Sequence, residues 1–132
     1  MIRAAVERDA FEELVRKALL VLPDEIARRM NNVDVEVQDN PTPGQLAATG
    51  VPPGHTLLGL YQGIPLTRRT SGYQMVPPDR IIVFQRPLEA AARSEEDLAQ
   101  RVRDTVIHEV GHHFGISDAR LREIEGRRRQ AR

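Results

Sequence analysis

A chain of 132 residues is expected to form one domain with a real core, spanning residues 1–132. Apolar residues at 40%, charged residues at 29% and a formal net charge of +0 are typical of a soluble globular protein, with no overall field that steers it to nucleic acid or a membrane. The chain has no apolar run near the roughly 18 residues of a membrane span and no recognisable signal or transit peptide, so we expect a cytoplasmic protein. It has no cysteine, so any metal would have to be bound by nitrogen and oxygen.

The first half of the chain predicts one main helix and two strands. Apolar residues at helical spacing predict an amphipathic helix over 4–22, with a short second helical turn after it. Valines that alternate with polar residues predict a half-buried strand at 33–38. Prolines and glycines over 41–54 indicate a loop in which 45–48 can form one helical turn, and a second strand is predicted at 56–61.

The second half predicts a buried strand and a long helix. The apolar segment 79–85 predicts a strand that is buried on both faces, in a sheet of three or four strands. Ser94 and Asp97 resemble a capping box, and only one glycine interrupts the segment from there to Phe114, which predicts about six helical turns. Gly115 stands where a left-handed residue would end this helix.

The end of this helix carries the sequence His-Glu-Val-Gly-His-His-Phe-Gly-Ile-Ser-Asp over residues 108–118. At about 100° per residue, His108 and His112 lie about 40° apart on the helix, so both imidazoles can reach one metal ion. Glu109 lies within about 100° of both histidines, where its carboxylate can hold a water bound to that ion. The turn at Gly115 can bring Asp118 back beside the metal. The motif therefore predicts a zinc hydrolase.

Several other polar residues have competing interpretations. Asp118 also precedes a segment of helical periodicity, so it is a good N-cap, and its two oxygens can serve both roles. His113 points into the apolar sector of the helix and is assigned to the core rather than to the metal. Tyr61 and Tyr73 are assigned to packing rather than to oxyanion binding, and the isolated His55 receives no role.

The motif resembles the metzincin-like pattern His-Glu-x-x-His-x-x-Gly-x-x-His/Asp of the zincin metallopeptidases, with Asp118 where many members have a third histidine. Segments 57–67 and 78–84 also resemble a family of small bacterial zincin-like metallopeptidases. Together these segments span about the last three-fifths of the chain. The resemblance implies an α+β protein with a minimal zincin-like fold, in which a small mixed sheet packs against a long active-site helix.

The resemblance also implies the chemistry of the site. His108, His112 and Asp118 would be the ligands of one Zn²⁺, and Glu109 would be the general base. A zinc ion with three protein ligands keeps a position for water and lowers the pKa of that water to about 7. Glu109 then takes the proton during attack on a peptide carbonyl and delivers it to the leaving amine. The expected substrate is a peptide or protein.

The substrate cleft is expected to differ from that of the metzincins. Metzincins carry a methionine turn downstream of the third ligand, whereas Met1, Met30 and Met75 all precede this motif. A C-terminal subdomain is therefore not expected. In zincins an extended peptide pairs with an edge strand of the sheet, and here the strand at 56–61 or the strand at 80–85 would supply that edge.

Two other functions fit parts of the pattern. Bacterial endoribonucleases of ribosomal RNA maturation are similar in the spacing of His108, His112 and Asp118, and the arginine-rich stretch 120–132 would suit RNA. That family lacks a glutamate after the first histidine, so Glu109 favours the peptidase. A solvated helix end explains the arginines without a nucleic-acid partner, which is not expected. A zinc-binding module without activity is the third possibility.

Overall fold

The computed structural model describes residues 6–28, 30, 33–63 and 79–115. Its elements are α1 (Arg8–Leu20), α2 (Asp24–Ala27), β1 (Val33–Gln38), α3 (Pro43–Ala48), β2 (Gly59–Gln62), β3 (Asp79–Phe84), α4 (Gln85–Ala91) and α5 (Glu95–Phe114). Within these ranges, no helix combines the length and the apolar composition needed to cross a membrane.

The three described strands form one mixed sheet in the order β1-β3-β2. Strand β1 runs parallel to β3, from the pair Val33 and Asp79 onwards, while β2 runs antiparallel to β3 and pairs Gly59 with Val83. The predicted small mixed sheet is therefore confirmed. Of the two strands left open as the substrate edge, 80–85 is excluded because β3 is paired on both sides, and β2 is the edge strand on its side of the described sheet.

The core lies between the sheet and two helices. Helix α5 packs against α1, β2 and β3, and the apolar stripes of α1 and α5 meet over the inner face of the sheet. As the central strand, β3 is covered on both faces, which explains its continuous apolar sequence. The fully buried side chains of these elements include Phe11, Ala18, Ile81, Ile82, Val83, Phe84, Leu98, Val102 and Val106.

Helix α4 is the element that the sequence did not predict. Strand β3 ends at Phe84, and Gln85 already begins the helix, so no breaker separates the two elements. Pro87 lies in the first turn of α4, where a proline costs no helical hydrogen bond. Strand β2 also begins at Gly59 rather than at residue 56, although Phe84 still donates a backbone hydrogen bond to the carbonyl of Leu58 just before it.

Caps fix both ends of α5. Ser94 Oγ accepts a hydrogen bond from Asp97 N at 3.0 Å, as predicted, but the short aspartate reaches Arg93 N rather than the N-cap amide. At the other end Gly115 is left-handed, with φ 71°, and its amide donates to the carbonyls of Gly111 and His112. The predicted C-cap is confirmed, and the His-Glu-x-x-His motif occupies the last turns of the helix.

Candidate metal centre

His108, Glu109 and His112 form a group that can hold a metal ion. One donor atom from each side chain can be chosen so that all three lie within 4.8 Å of one another. The rings of His108 and His112 have centroids 4.6 Å apart and an interplanar angle of 64°, since residues four apart lie on the same face of a helix. The prediction that both imidazoles can reach one ion agrees with this geometry.

Burial differs within the group in a way that suits its chemistry. The side chain of Glu109 is 8% exposed, whereas that of His112 is 42% exposed. Glu109 Oε1 lies 3.2 Å from His112 Nδ1. Imidazole nitrogen and carboxylate oxygen are the donors that zinc binds in the absence of thiolates, so the residues present fit Zn²⁺. His108 and His112 are therefore partly exposed to solvent, whereas the Glu109 carboxylate is buried.

The edge strand β2 contacts the face of α5 that carries Glu109. A Cβ added at Gly59 would lie 2.6 Å from Thr105 Cγ2 and 3.2 Å from Glu109 Cγ. Real Cβ atoms essentially never approach another heavy atom as closely as 2.6 Å, so only glycine fits here without a shift. Gly59 and Thr105 were not predicted from the sequence, because a contact between two distant elements leaves no periodic pattern.

His113 is buried as predicted, but it is not in an apolar environment. Its ring is 1% exposed, and Nδ1 lies 2.7 Å from Oδ2 of Asp79, which is buried to the same extent. Tyr61 donates its hydroxyl to the same oxygen at 2.7 Å, which agrees with a structural role for this tyrosine. The contact between Asp79 and His113 was not predicted from the sequence. Its one signal in the sequence is an acidic residue at the start of a strand predicted to be buried on both faces.

The other residues singled out in the sequence are His55, Tyr73, Asp118 and the basic stretch 120–132. His55 lies exposed in the loop before β2. Asp118, Tyr73 and the basic stretch 120–132 lie outside the described residues, so the third ligand stays a prediction.

Comparison with known proteins agrees with the motif and with the fold. The sequence profile of the zincin-like metallopeptidase family matches residues 30–128, which are 99 of the 132 residues. The chain therefore belongs to the zincin-like metallopeptidase family. A conserved hypothetical protein from Thermus thermophilus shares the fold at 23% identity, with a TM-score of 0.53 over 92% of this chain and 99% of that chain. No curated protein matches the sequence.

Proposed function

We propose that this protein is a zinc-dependent metallopeptidase that hydrolyses peptide bonds with Glu109 as the general base. The observation that carries the proposal is the group formed by His108, Glu109 and His112, with donor atoms within 4.8 Å of one another. Membership of the zincin-like metallopeptidase family supports it, because the matched residues include the His-Glu-x-x-His motif, which zincins use for this chemistry.

His108 and His112 would hold the zinc ion, and Asp118 is proposed as the third ligand. Bound zinc supplies Lewis acidity, which makes water a better nucleophile and polarises a carbonyl. The nitrogen and oxygen donors suit this ion, and three protein ligands are the usual number at a catalytic zinc site.

Glu109 is proposed to move the proton. One carboxylate oxygen accepts a proton from the attacking water, and the same group later donates it to the nitrogen of the leaving amine, so protons balance over the cycle. Because the Glu109 side chain is largely withdrawn from solvent, its hydrogen bonds act in a low local dielectric and are stronger than in water. Gly59 of β2 packs beside the Glu109 side chain, and this packing limits the conformations that the carboxylate can adopt.

Strand β2 is proposed as the strand that binds the substrate. An extended peptide can add to the free side of an edge strand through backbone hydrogen bonds. The glycine at position 59 allows β2 to lie directly against Thr105 and Glu109. A peptide paired with β2 would therefore run past the carboxylate that serves as base.

The test combines metal analysis with a peptide-library cleavage assay. Wild-type protein is expected to carry about one zinc and to cleave peptides, with loss of cleavage when the metal is removed by a chelator. Glu109→Gln should retain zinc but lose at least about a hundredfold in kcat/KM, because it cannot accept a proton. Glu89→Gln, a substitution at a buried carboxylate on α4, is the matched control and should retain activity. Undiminished cleavage by Glu109→Gln, or cleavage of RNA without cleavage of peptides, would overturn the proposal.

A further inference from the structure

A buried polar network joins three elements around the end of α5. Asp79 is the first residue of β3, Tyr61 lies in β2 and His113 lies in the last turn of α5. Asp79 Oδ2 accepts hydrogen bonds from the Tyr61 hydroxyl and from Nδ1 of His113, each at 2.7 Å. Hydrogen bonds to a carboxylate are stronger than those between neutral groups, and a buried carboxylate that loses its donors is strongly destabilised. This network is not part of the proposed chemistry.

The position of the His113 ring depends on Asp79. Among the residues that the structure describes, Nε2 of His113 is a buried side-chain atom without a hydrogen-bond partner. The hydrogen bond at Nδ1 is therefore the polar contact that orients the ring. Edge contacts with the rings of Tyr61 and Phe114, at centroid distances of 5.9 and 5.1 Å, hold the ring from the sides.

The network fixes the turn of α5 that presents the second histidine of the motif. His113 directly follows His112, so an anchor on its ring restrains both the rotation and the height of this turn. Tyr61 extends the restraint to β2, two residues from the glycine that contacts Thr105 and Glu109. Asp79 is thus bonded both to the helix that carries the metal group and to the edge strand beside that helix.

From this geometry we propose that Asp79 is a positioning residue for the metal centre. Through His113 it holds His112 in place relative to His108 and Glu109, and through Tyr61 it holds the edge strand beside them. The inference rests on the proposed function, because it assigns a role in binding the zinc of that same site. It predicts that Asp79 controls metal affinity through His113 and Tyr61, which are not proposed as metal ligands.

A second buried carboxylate provides the matched control. Glu89 is 4% exposed and accepts hydrogen bonds from Val6 N, Gln85 Nε2 and Arg86 Nη1 at 2.9, 3.1 and 3.2 Å. Like Asp79 it is a buried carboxylate that accepts hydrogen bonds, but it lies on α4, and its donors belong to the N-terminal segment and to α4. Asp79→Asn and Glu89→Gln therefore remove comparable buried charges, and the network at the motif is changed in Asp79→Asn alone.

The experiment measures zinc affinity of the full-length chain, prepared without metal, by titration against a competing chelator. Asp79→Asn is expected to raise the Kd for zinc by about tenfold, the lower end of the range found when the hydrogen-bond partner of a metal ligand is lost, because Asp79 acts through His113 rather than on a ligand. Glu89→Gln should stay within about twofold of wild type. Amide exchange in the last turn of α5 of the metal-free protein should accelerate in Asp79→Asn and not in Glu89→Gln. His113→Asn, whose Nδ2 can replace the ring Nδ1 as donor, should bind zinc more tightly than His113→Leu.

The outcomes separate this inference from the proposed function. If Asp79→Asn does not fold, Tyr61→Phe, which lacks a single hydroxyl, is expected to raise the zinc Kd by about threefold. If the folded one of Asp79→Asn and Tyr61→Phe binds zinc with wild-type affinity, or if Glu89→Gln loses as much zinc affinity, the positioning role is overturned. Either result leaves the proposed peptidase function unaffected. Absence of zinc binding by the wild type would overturn the proposed function and this inference together.

Discussion

Gly59 of β2 lies against Thr105 of α5 so closely that a Cβ at residue 59 would be 2.6 Å from the threonine methyl. This contact sets the distance between the edge strand and the helix that carries the motif. Thr105 is one helical turn before Glu109, so a strand displaced at Gly59 is also displaced from the proposed base.

Gly59→Ala is therefore expected to lower both stability and catalysis. Overpacking of this kind costs about 1–3 kcal/mol, and the outward shift of β2 should reduce kcat/KM beyond the effect on folding. Thr105→Ser removes the methyl that lies nearest to the added Cβ. The double variant Gly59→Ala/Thr105→Ser should therefore recover part of the loss in stability and part of the loss in kcat/KM. Urea unfolding and peptide cleavage of the four proteins of this cycle measure the coupling.

Gly44→Ala is the control for this cycle. It lies in helix α3, and its added Cβ would meet Thr42 Oγ1 at an ordinary 3.8 Å, so it should be neutral or slightly stabilising. Additive effects of Gly59→Ala and Thr105→Ser would contradict the steric explanation.

Asp118→Asn separates the two roles that the sequence assigns to this residue. Asparagine is as good an N-cap as aspartate, but it lacks the charge of a carboxylate ligand. We expect the zinc Kd to rise by more than about tenfold while the unfolding free energy of the metal-free protein stays near the wild-type value. Asp34→Asn, at an exposed aspartate in β1, should change neither quantity. An unaltered zinc affinity would remove Asp118 from the ligand set and leave it the capping role.

Asp97 at the start of α5 predicts a specific acid dependence of stability. The backbone amide of Arg93, and after it the guanidinium of Arg101, hold the pKa of Asp97 below its ordinary value of 3.8. A carboxyl whose pKa is lower in the folded state adds stability above its unfolded pKa and loses that contribution as the pH falls through the folded pKa. The stability difference between wild type and Asp97→Asn should be constant near neutral pH and shrink below about pH 3.8.

Denaturant unfolding of both proteins between about pH 2 and 7 tests this. Asp104→Asn, a change at another aspartate of α5, serves as the control. A difference between wild type and Asp97→Asn that stays constant through the acid range would show that the two hydrogen bonds do not favour the ionised form.

The parts of the fold that could be predicted are those encoded locally. Helix α5 was predicted because its apolar stripe, its Ser94 cap and its Gly115 stop all follow from residues within a few turns of one another. Strands β1 and β3 were predicted by alternation and by a short apolar run. The motif was predictable for the same reason, since helical spacing alone brings His108 and His112 together.

The supporting contacts could not be predicted in this way. Asp79 and His113 are 34 residues apart, and no local pattern in one sequence indicates that they meet. The order β1-β3-β2 likewise depends on long-range pairing, so the segment expected as a possible edge proved to be the central strand. The assignment of His113 to the core was confirmed, and a buried histidine generally needs a polar partner, but the sequence alone does not indicate which residue supplies it.

Gly63 offers an independent way to disturb the network around Asp79. A Cβ at residue 63 would overlap Oδ1 of Asp79 and would lie 2.9 Å from the hydroxyl oxygen of Tyr61. Gly63→Ala should therefore displace the carboxylate from Tyr61 and His113 and raise the zinc Kd by about tenfold, if Asp79 positions the metal centre. Gly63 also has a positive φ of 156°, so part of any loss in stability will come from the backbone.

Gly54→Ala separates these two effects. Gly54 has φ 83°, and a Cβ there would meet nothing within 4 Å, so the variant carries backbone strain without a collision. Both variants should unfold at lower denaturant concentration, because alanine is disfavoured at positive φ. Zinc titration of the two folded proteins then separates the effect of the steric clash with Asp79 from the effect of backbone strain. Weaker zinc binding in Gly63→Ala alone supports control of the metal centre through Asp79. Equal affinities would mean that the last turn of α5 keeps its position when the carboxylate moves.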